Sequence, residues 1–254
     1  MNTRSLSLRY GLALASFAFC ASTAGALEDT YSLKRVYKAG EIDKYKTVIT
    51  MEADTPMGTP ISFTYTILTT EKVLEVKPDG SAVVETRVDN AKVKIKDIDR
   101  ELDDNSVVTV TIDKNGKETK REGGGDDQRG AAVKMLGLAR FSSMPPHALK
   151  NGEAWKYEIP AADDKSPKTT GSVTLLGKEK PEGGDRELLK VKCFTTVTTP
   201  SKTGDTKLEM LSTIFVEPVT GKPLDVDVVG NGKLGTFDAK KISVKQQRIK
   251  DTSK

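Results

Sequence analysis

The sequence predicts an all-β protein carrying one helix, arranged as two similar antiparallel curved sheets or half-barrel units joined by that helix. Three observations carry this expectation. Apolar and polar residues alternate with period two along most of the chain, turn dipeptides separate the alternating runs, and one segment alone shifts to helical spacing.

Residues 1–26 read as a secretory signal peptide. Arg4 and Arg9 form its positive region, Leu12, Leu14, Phe17 and Phe19 lie in a short apolar core, and Ala24-Gly25-Ala26 is a small-residue cleavage site. The apolar run is well short of the roughly 20 residues of a spanning helix. Phe19 stands before Cys20 where a lipoprotein signal needs a small residue, which argues against lipidation. The expected location is exported, periplasmic or extracellular.

Beyond residue 26 the strands announce themselves by alternation. Ile61, Phe63, Tyr65 and Ile67 alternate with Ser62, Thr64 and Thr66, and Val108, Val110 and Ile112 alternate with Thr109 and Thr111. Further on, Trp155, Tyr157 and Ile159 alternate with Lys156 and Glu158, and Leu224, Val226 and Val228 with Asp225 and Asp227. Strands of this kind put one face in a core and one in water, as antiparallel sheets do. Pro78-Asp79-Gly80, Asn115-Gly116, Glu182-Gly183-Gly184, Thr220-Gly221 and Asn231-Gly232 read as hairpin turns between them.

The exception is residues 128–141. Ala132, Met135, Leu136 and Ala139 recur at helical spacing, and a glycine run ending in Asp126-Asp127 supplies a loop and a cap. Gly130 and Gly137 each weaken a helix by about 1 kcal/mol relative to Ala, and Pro145-Pro146 forbid its continuation. The apolar stripe either packs on the sheets or forms a movable lid. In the second reading Val133, Met135, Leu136, Leu138 and Phe141 line a ligand site, with Met135 as its pliable element.

Phrases recur in order about a hundred residues apart. Gly40-Glu41-Ile42-Asp43-Lys44-Tyr45 answers to Gly152-Glu153-Ala154-Trp155-Lys156-Tyr157, Lys77-Pro78-Asp79-Gly80 to Lys180-Pro181-Glu182-Gly183, and Gly116-Lys117 to Gly221-Lys222. The expected organisation is a signal peptide (1–26), a first antiparallel β unit (27–127), a helix and Pro-rich connector (128–147) and a second antiparallel β unit (148–254).

Both unit starts, Tyr37-Lys38-Ala39-Gly40-Glu41 with Tyr45 and Leu149-Lys150-Asn151-Gly152-Glu153-Ala154-Trp155, resemble the openings of secreted bacterial proteins of unknown function. The architecture this resemblance implies is similar to the half-barrel of periplasmic lipoprotein-localisation factors and related lipid carriers. Those wrap a sheet around an apolar cleft and close it with helices. The resemblance implies no catalytic residues.

Composition removes several functions. Lys+Arg number 40 and Asp+Glu 36, a formal charge of +4, of which the signal peptide holds two positive charges. So even a balance offers no field for a nucleic acid. One His excludes a multi-histidine metal or catalytic centre, and His147 lies in a rigid Pro145-Pro146 connector, read as surface loop. G-x-S-x-G, H-E-x-x-H, C-x-x-C, P-loop and dinucleotide fingerprints are missing. Asp103-Asp104-Asn105, Asp113-Lys114-Asn115-Gly116 and Asp126-Asp127 lack the ligand periodicity of a calcium loop and read as solvated turns. Cys193 is the single cysteine beyond the signal, so no internal disulfide forms; the alternation Leu189-Lys190-Val191-Lys192-Cys193 puts it on the apolar face as an inert thiol. Trp155 reads as a core anchor of the second unit.

The expected function is therefore that of an exported, non-enzymatic envelope protein. It binds an apolar, lipid-like small molecule or an envelope partner protein in the concavity of its sheets, with no cofactor, no metal, no nucleic acid and no transmembrane segment in the mature chain. A structural or scaffolding module without a ligand is the alternative, and an unrecognised hydrolase using paired carboxylates is a further one.

Overall fold

The computed structural model describes residues 29–123, 145–161, 167–200 and 205–249. Among them the regular structure is β throughout: β1 (Thr30–Tyr31), β2 (Ile42–Asp54), β3 (Pro60–Val76), β4 (Ala82–Ile95), β5 (Ile98–Leu102), β6 (Val107–Ile112), β7 (Glu118–Gly123), β8 (Leu149–Lys150), β9 (Ala154–Ile159), β10 (Lys168–Glu179), β11 (Leu188–Thr199), β12 (Thr206–Val216), β13 (Pro223–Leu234) and β14 (Phe237–Ile249). The expected helix, residues 128–141, lies outside the described residues, and residues 145–147 of the connector are not helical.

The strands do not divide into two sheets. Twelve of them form one antiparallel sheet in the order β7-β6-β4-β3-β2-β14-β13-β12-β11-β10-β9, with β5 paired to β4, while β1 and β8 make a separate two-residue ribbon. The expectation of two sheets fails at one place, the pairing of β14 with β2, where Val244 faces Ile49 and Gln246 faces Thr47. Two amphipathic meanders with open ends bury more edge by joining than by standing apart. The sheet is not closed among the described residues; its outer strands are β7 and β9.

Alternation decides what each face meets. On β11, Leu189, Val191, Cys193 and Val197 are buried, while Lys192 and Phe194 are exposed. Opposed residues share a face, so register carries the pattern across: Val173, Cys193, Ser212, Val228, Val244 and Ile49 form one row over six strands. Most buried apolar residues of β2–β4 and β10–β14 form one cluster with Leu33 and Leu149, while Val73, Ala82 and Val84 form a second, smaller one against Tyr37, Val76, Val110 and Ile112. Each fully buried Leu, Val or Ile contributes about 1.5–3 kcal/mol relative to exposure. A twisted open sheet of this many strands that buries one face curls about it.

Four of the five turn signals fall between strands as read. In the β3–β4 turn the amide of Ser81 (2.9 Å) and its hydroxyl (2.6 Å) donate to Asp79 Oδ1, and Gly80 takes φ 84°. Asn231-Gly232 is the exception. It lies inside β13, where the register with β14 shifts between Gly230 and Gly232. The chain turns instead between Leu234 and Phe237, with Gly235 at φ 61°. A bulge and a hairpin want the same dipeptide, so composition could not separate them.

The two phrases that recur in sequence enter the sheet with the same hydrogen bonds. The amide of Gly40 donates to Val73 O (2.8 Å), that of Glu41 to Lys38 O (3.1 Å) and that of Val73 to Glu41 O (2.9 Å). At the other site Gly152 donates to Leu175 O (2.7 Å), Glu153 to Lys150 O (3.0 Å) and Leu175 to Glu153 O (3.1 Å). Gly40 and Gly152 share φ values of 79° and 80°. A bulge follows in both third partners, between Val73 and Glu75 and between Leu175 and Gly177.

Candidate functional site

The candidate lid residues Val133, Met135, Leu136, Leu138 and Phe141 lie outside the described residues. What the structure places together is the inner face of the sheet and a charged clamp at one end of it.

The inner face is apolar with small residues set into it. Gly171 opposes Tyr157 and Thr195 on the flanking strands, and a Cβ there would sit 2.6 Å from Tyr157 Oη. The ring fills that space, and its hydroxyl is 3.0 Å from Thr195 Oγ1. Trp155 stacks on Tyr157 with centroids 5.5 Å apart and packs against the core without being fully buried. Cys193 lies on the same face, a free and buried thiol. Burial pushes it up to about 12, so it stays protonated and poorly nucleophilic.

Along the β14–β2 joint the inner face turns polar. Gln246 Nε2 donates to Thr47 Oγ1 at 3.0 Å, both groups buried. Beyond them toward the strand ends lies an ion cluster gathered from four parts of the chain. Lys222, in the β12–β13 turn, pairs with Glu41 and with Asp43 Oδ2 at 2.6 Å. Arg35 Nη2 is 2.8 Å from Glu41 Oε2, and Arg248 of β14 sits 2.6 Å from Asp43 Oδ1. The last contact is charge on charge, without hydrogen-bond geometry at Oδ1. Lys222 and Asp43 are 5% and 4% exposed, so neither can turn to water for solvation.

Arg35 reaches the cluster because residues 32–38 run as a strap over the β12–β13 turn. The strap is tied by Leu33, fully buried, by the amide of Val36 donating to Thr220 O at 2.7 Å, and by Arg35 over the Tyr37 ring at 5.0 Å. Gly221 lies beneath it at φ 63°, and any Cβ there would overlap the Lys34 carbonyl. Burial raises the pKa of Glu41, but Lys222 and Arg35 outweigh burial and hold the carboxyl below its ordinary range. Glu217, in the same turn, is raised by burial and lowered further by Thr220 and Arg186; Arg186 Nη1 is 2.7 Å from it. Glu41, Asp43 and Glu217 are each engaged by a cation, an arrangement that fastens chain segments together.

The remaining sequence candidates sit apart from this face. His147 is exposed, with Nε2 3.4 Å from Glu153 Oε1. Asp113 Oδ1 accepts the amides of Asn115 (2.8 Å) and Lys117 (2.9 Å), a turn stabilised by its own side chain. Asp104 accepts Ser106 N at 3.1 Å, and Asp126-Asp127 lies outside the described residues. Among the described residues no three His, Cys, Asp or Glu side chains gather as metal ligands, and no helix is long and apolar enough to cross a membrane. Sequence reasoning missed the clamp, although Asp43 stood at an inward position of an alternating run with Tyr45 and Thr47. A carboxylate on the buried side of a strand requires a cation, and nothing local supplied one.

No family model matches the chain, and no curated protein matches it. Among solved structures, DynF from the dynemicin biosynthesis pathway of Micromonospora chersina aligns over 96% of this chain and 96% of its own, at 10% identity and a TM-score of 0.26. A Bacteroides fragilis protein designated exported, with a YmcC-like fold, aligns over 87% of this chain and 100% of its own, at 10% identity and a TM-score of 0.31. Likeness at this level bears on neither the fold nor the function of this chain.

Proposed function

We propose that the protein is exported and acts by binding, not by catalysis, with the inner face of its sheet receiving an apolar, lipid-like ligand. One observation carries this reading: a continuous inner face of apolar and small residues, buried at Cys193, Ser212, Ala239 and Ala53 and partly open at Gly171 and Gly230, spans both halves of one sheet. Its polar end at the clamp suits an amphiphile, whose headgroup would lie toward Arg248, the most exposed cation of the cluster. Export is supported by Arg4, Arg9, the short apolar core and Ala24-Gly25-Ala26. The same reading takes residues 27–127 and 148–254 as two copies of one β unit, supported by the matched hydrogen bonds at Gly40 and Gly152.

The test is to purify the processed chain from the envelope of the cell that makes it and to analyse its organic extract by mass spectrometry. About one amphiphile per chain is expected. A folded protein that yields no lipid from any preparation contradicts the reading.

A further inference from the structure

We propose that β9 is a self-association strand: two copies of this chain pair antiparallel through β9 about Tyr157 and run their sheets into one. The proposal goes beyond ligand binding and does not depend on it.

The first ground is the contrast between β9 and β2. Both follow the same Gly-Glu turn with the same three backbone hydrogen bonds, and each pairs with the next strand in order, β2 with β3 and β9 with β10. The far side of β2 is covered by antiparallel β14. Among the described residues no strand covers the far side of β9. Burial follows that difference. The inward residues Asp43, Tyr45 and Thr47 of β2 are buried, whereas Trp155, Tyr157 and Ile159 of β9 are all partly open. Among the described residues, an antiparallel strand is what β9 lacks relative to β2.

The second ground is the sequence of β9 itself, Ala154-Trp155-Lys156-Tyr157-Glu158-Ile159. An antiparallel pairing centred on Tyr157 sets Lys156 opposite the partner's Glu158 and Glu158 opposite the partner's Lys156, both on the exposed outer face. On the inner face it sets Trp155 against the partner's Ile159 and tyrosine against tyrosine. Opposite charges and aromatic–aliphatic pairs directly across a ladder are the stabilising combinations, and a twofold axis produces each of them twice. Lys168 of β10, 2.8 Å from Glu158, would flank the new ion pair.

The third ground is the other edge. β7 is exposed at all six residues, and its charges are spent within the strand, Arg121 on Glu118 at 2.5 Å and Lys120 on Glu122 at 2.6 Å. Such an edge is protected against pairing. β9 carries no proline, bulge or inward charge between Ala154 and Ile159.

Sedimentation of the full processed chain over a range of concentrations tests this, with the charge-swapped variants Lys156→Glu, Glu158→Lys and the double swap. The wild type should dimerise. Each single swap sets like charges opposite one another twice and should weaken the dimer by roughly tenfold or more, while the double swap restores complementarity and the dimer with it. Circular dichroism checks that each variant is folded. Oxidation of a mixture of Lys156→Cys and Glu158→Cys chains should then link unlike chains, with the buried Cys193 taking no part. A wild type that stays monomeric, single swaps that leave the dimer unchanged, or a double swap that fails to restore it would overturn the proposal.

Discussion

Replacing Lys222 with methionine lowers the unfolding free energy by roughly 3–5 kcal/mol. The ammonium sits almost wholly out of water between Glu41 and Asp43. Methionine keeps the stem and its packing but leaves two carboxylates with Arg35 and Arg248 alone, and Arg248 is partly in solvent. A buried charge stripped of its partner is far costlier than the intact pair is stabilising, which sets the sign and the size. The pH dependence gives an internal check. The folded pKa of Glu41 is lowered from 4.5, so its pairing stabilises the fold above the unfolded value and that contribution is lost as pH falls through the folded one. Chemical denaturation of both proteins should therefore show the gap fully open at neutral pH and narrowing as acid protonates Glu41.

Gly221→Ala should cost about 3 kcal/mol and loosen the strap before it unfolds the sheet. Alanine at φ 63° is strained by roughly 1–2 kcal/mol. Its Cβ also meets the backbone of Lys34 and Arg35, which cannot rotate aside as a side chain would. Moving the strap breaks the Val36–Thr220 hydrogen bond, worth about 1 kcal/mol, and uncovers part of Leu33. Lys34, Arg35 and Lys38 are trypsin sites, so limited proteolysis should cut residues 32–38 much faster in the variant. Gly183→Ala is the control: its φ is 69°, but nothing lies within 4 Å of the added carbon, so it bears the backbone strain alone and leaves the strap closed.

The β class and most of the turns were legible because both depend on near neighbours. Alternation at Leu189, Val191 and Cys193 needs only the strand itself, and the turn at Lys77-Pro78-Asp79-Gly80 only its four residues. The joining of the two meanders was not legible. The pairing of Thr47 with Gln246 unites residues 199 apart in sequence, and the apolar pattern of β14 and β2 is as consistent with two outer edges as with one joint. The clamp was hidden for the same reason, since Arg35, Asp43, Lys222 and Arg248 come from four parts of the chain that only the fold brings together. The turn at Asn231-Gly232 was misread because a glycine is needed wherever the backbone bends or another strand comes close, and local chemistry does not say which.

The central claim is that the inner face of the sheet takes an apolar ligand, and the single tryptophan of the chain reports on that face directly. Trp155 is stacked on Tyr157 at its margin. Titrating the folded protein with a fatty acid that carries a nitroxide on its acyl chain should quench Trp155 fluorescence saturably, with a break near one ligand per chain. Quenching that never saturates, or none at all while the sheet remains intact, would contradict the account.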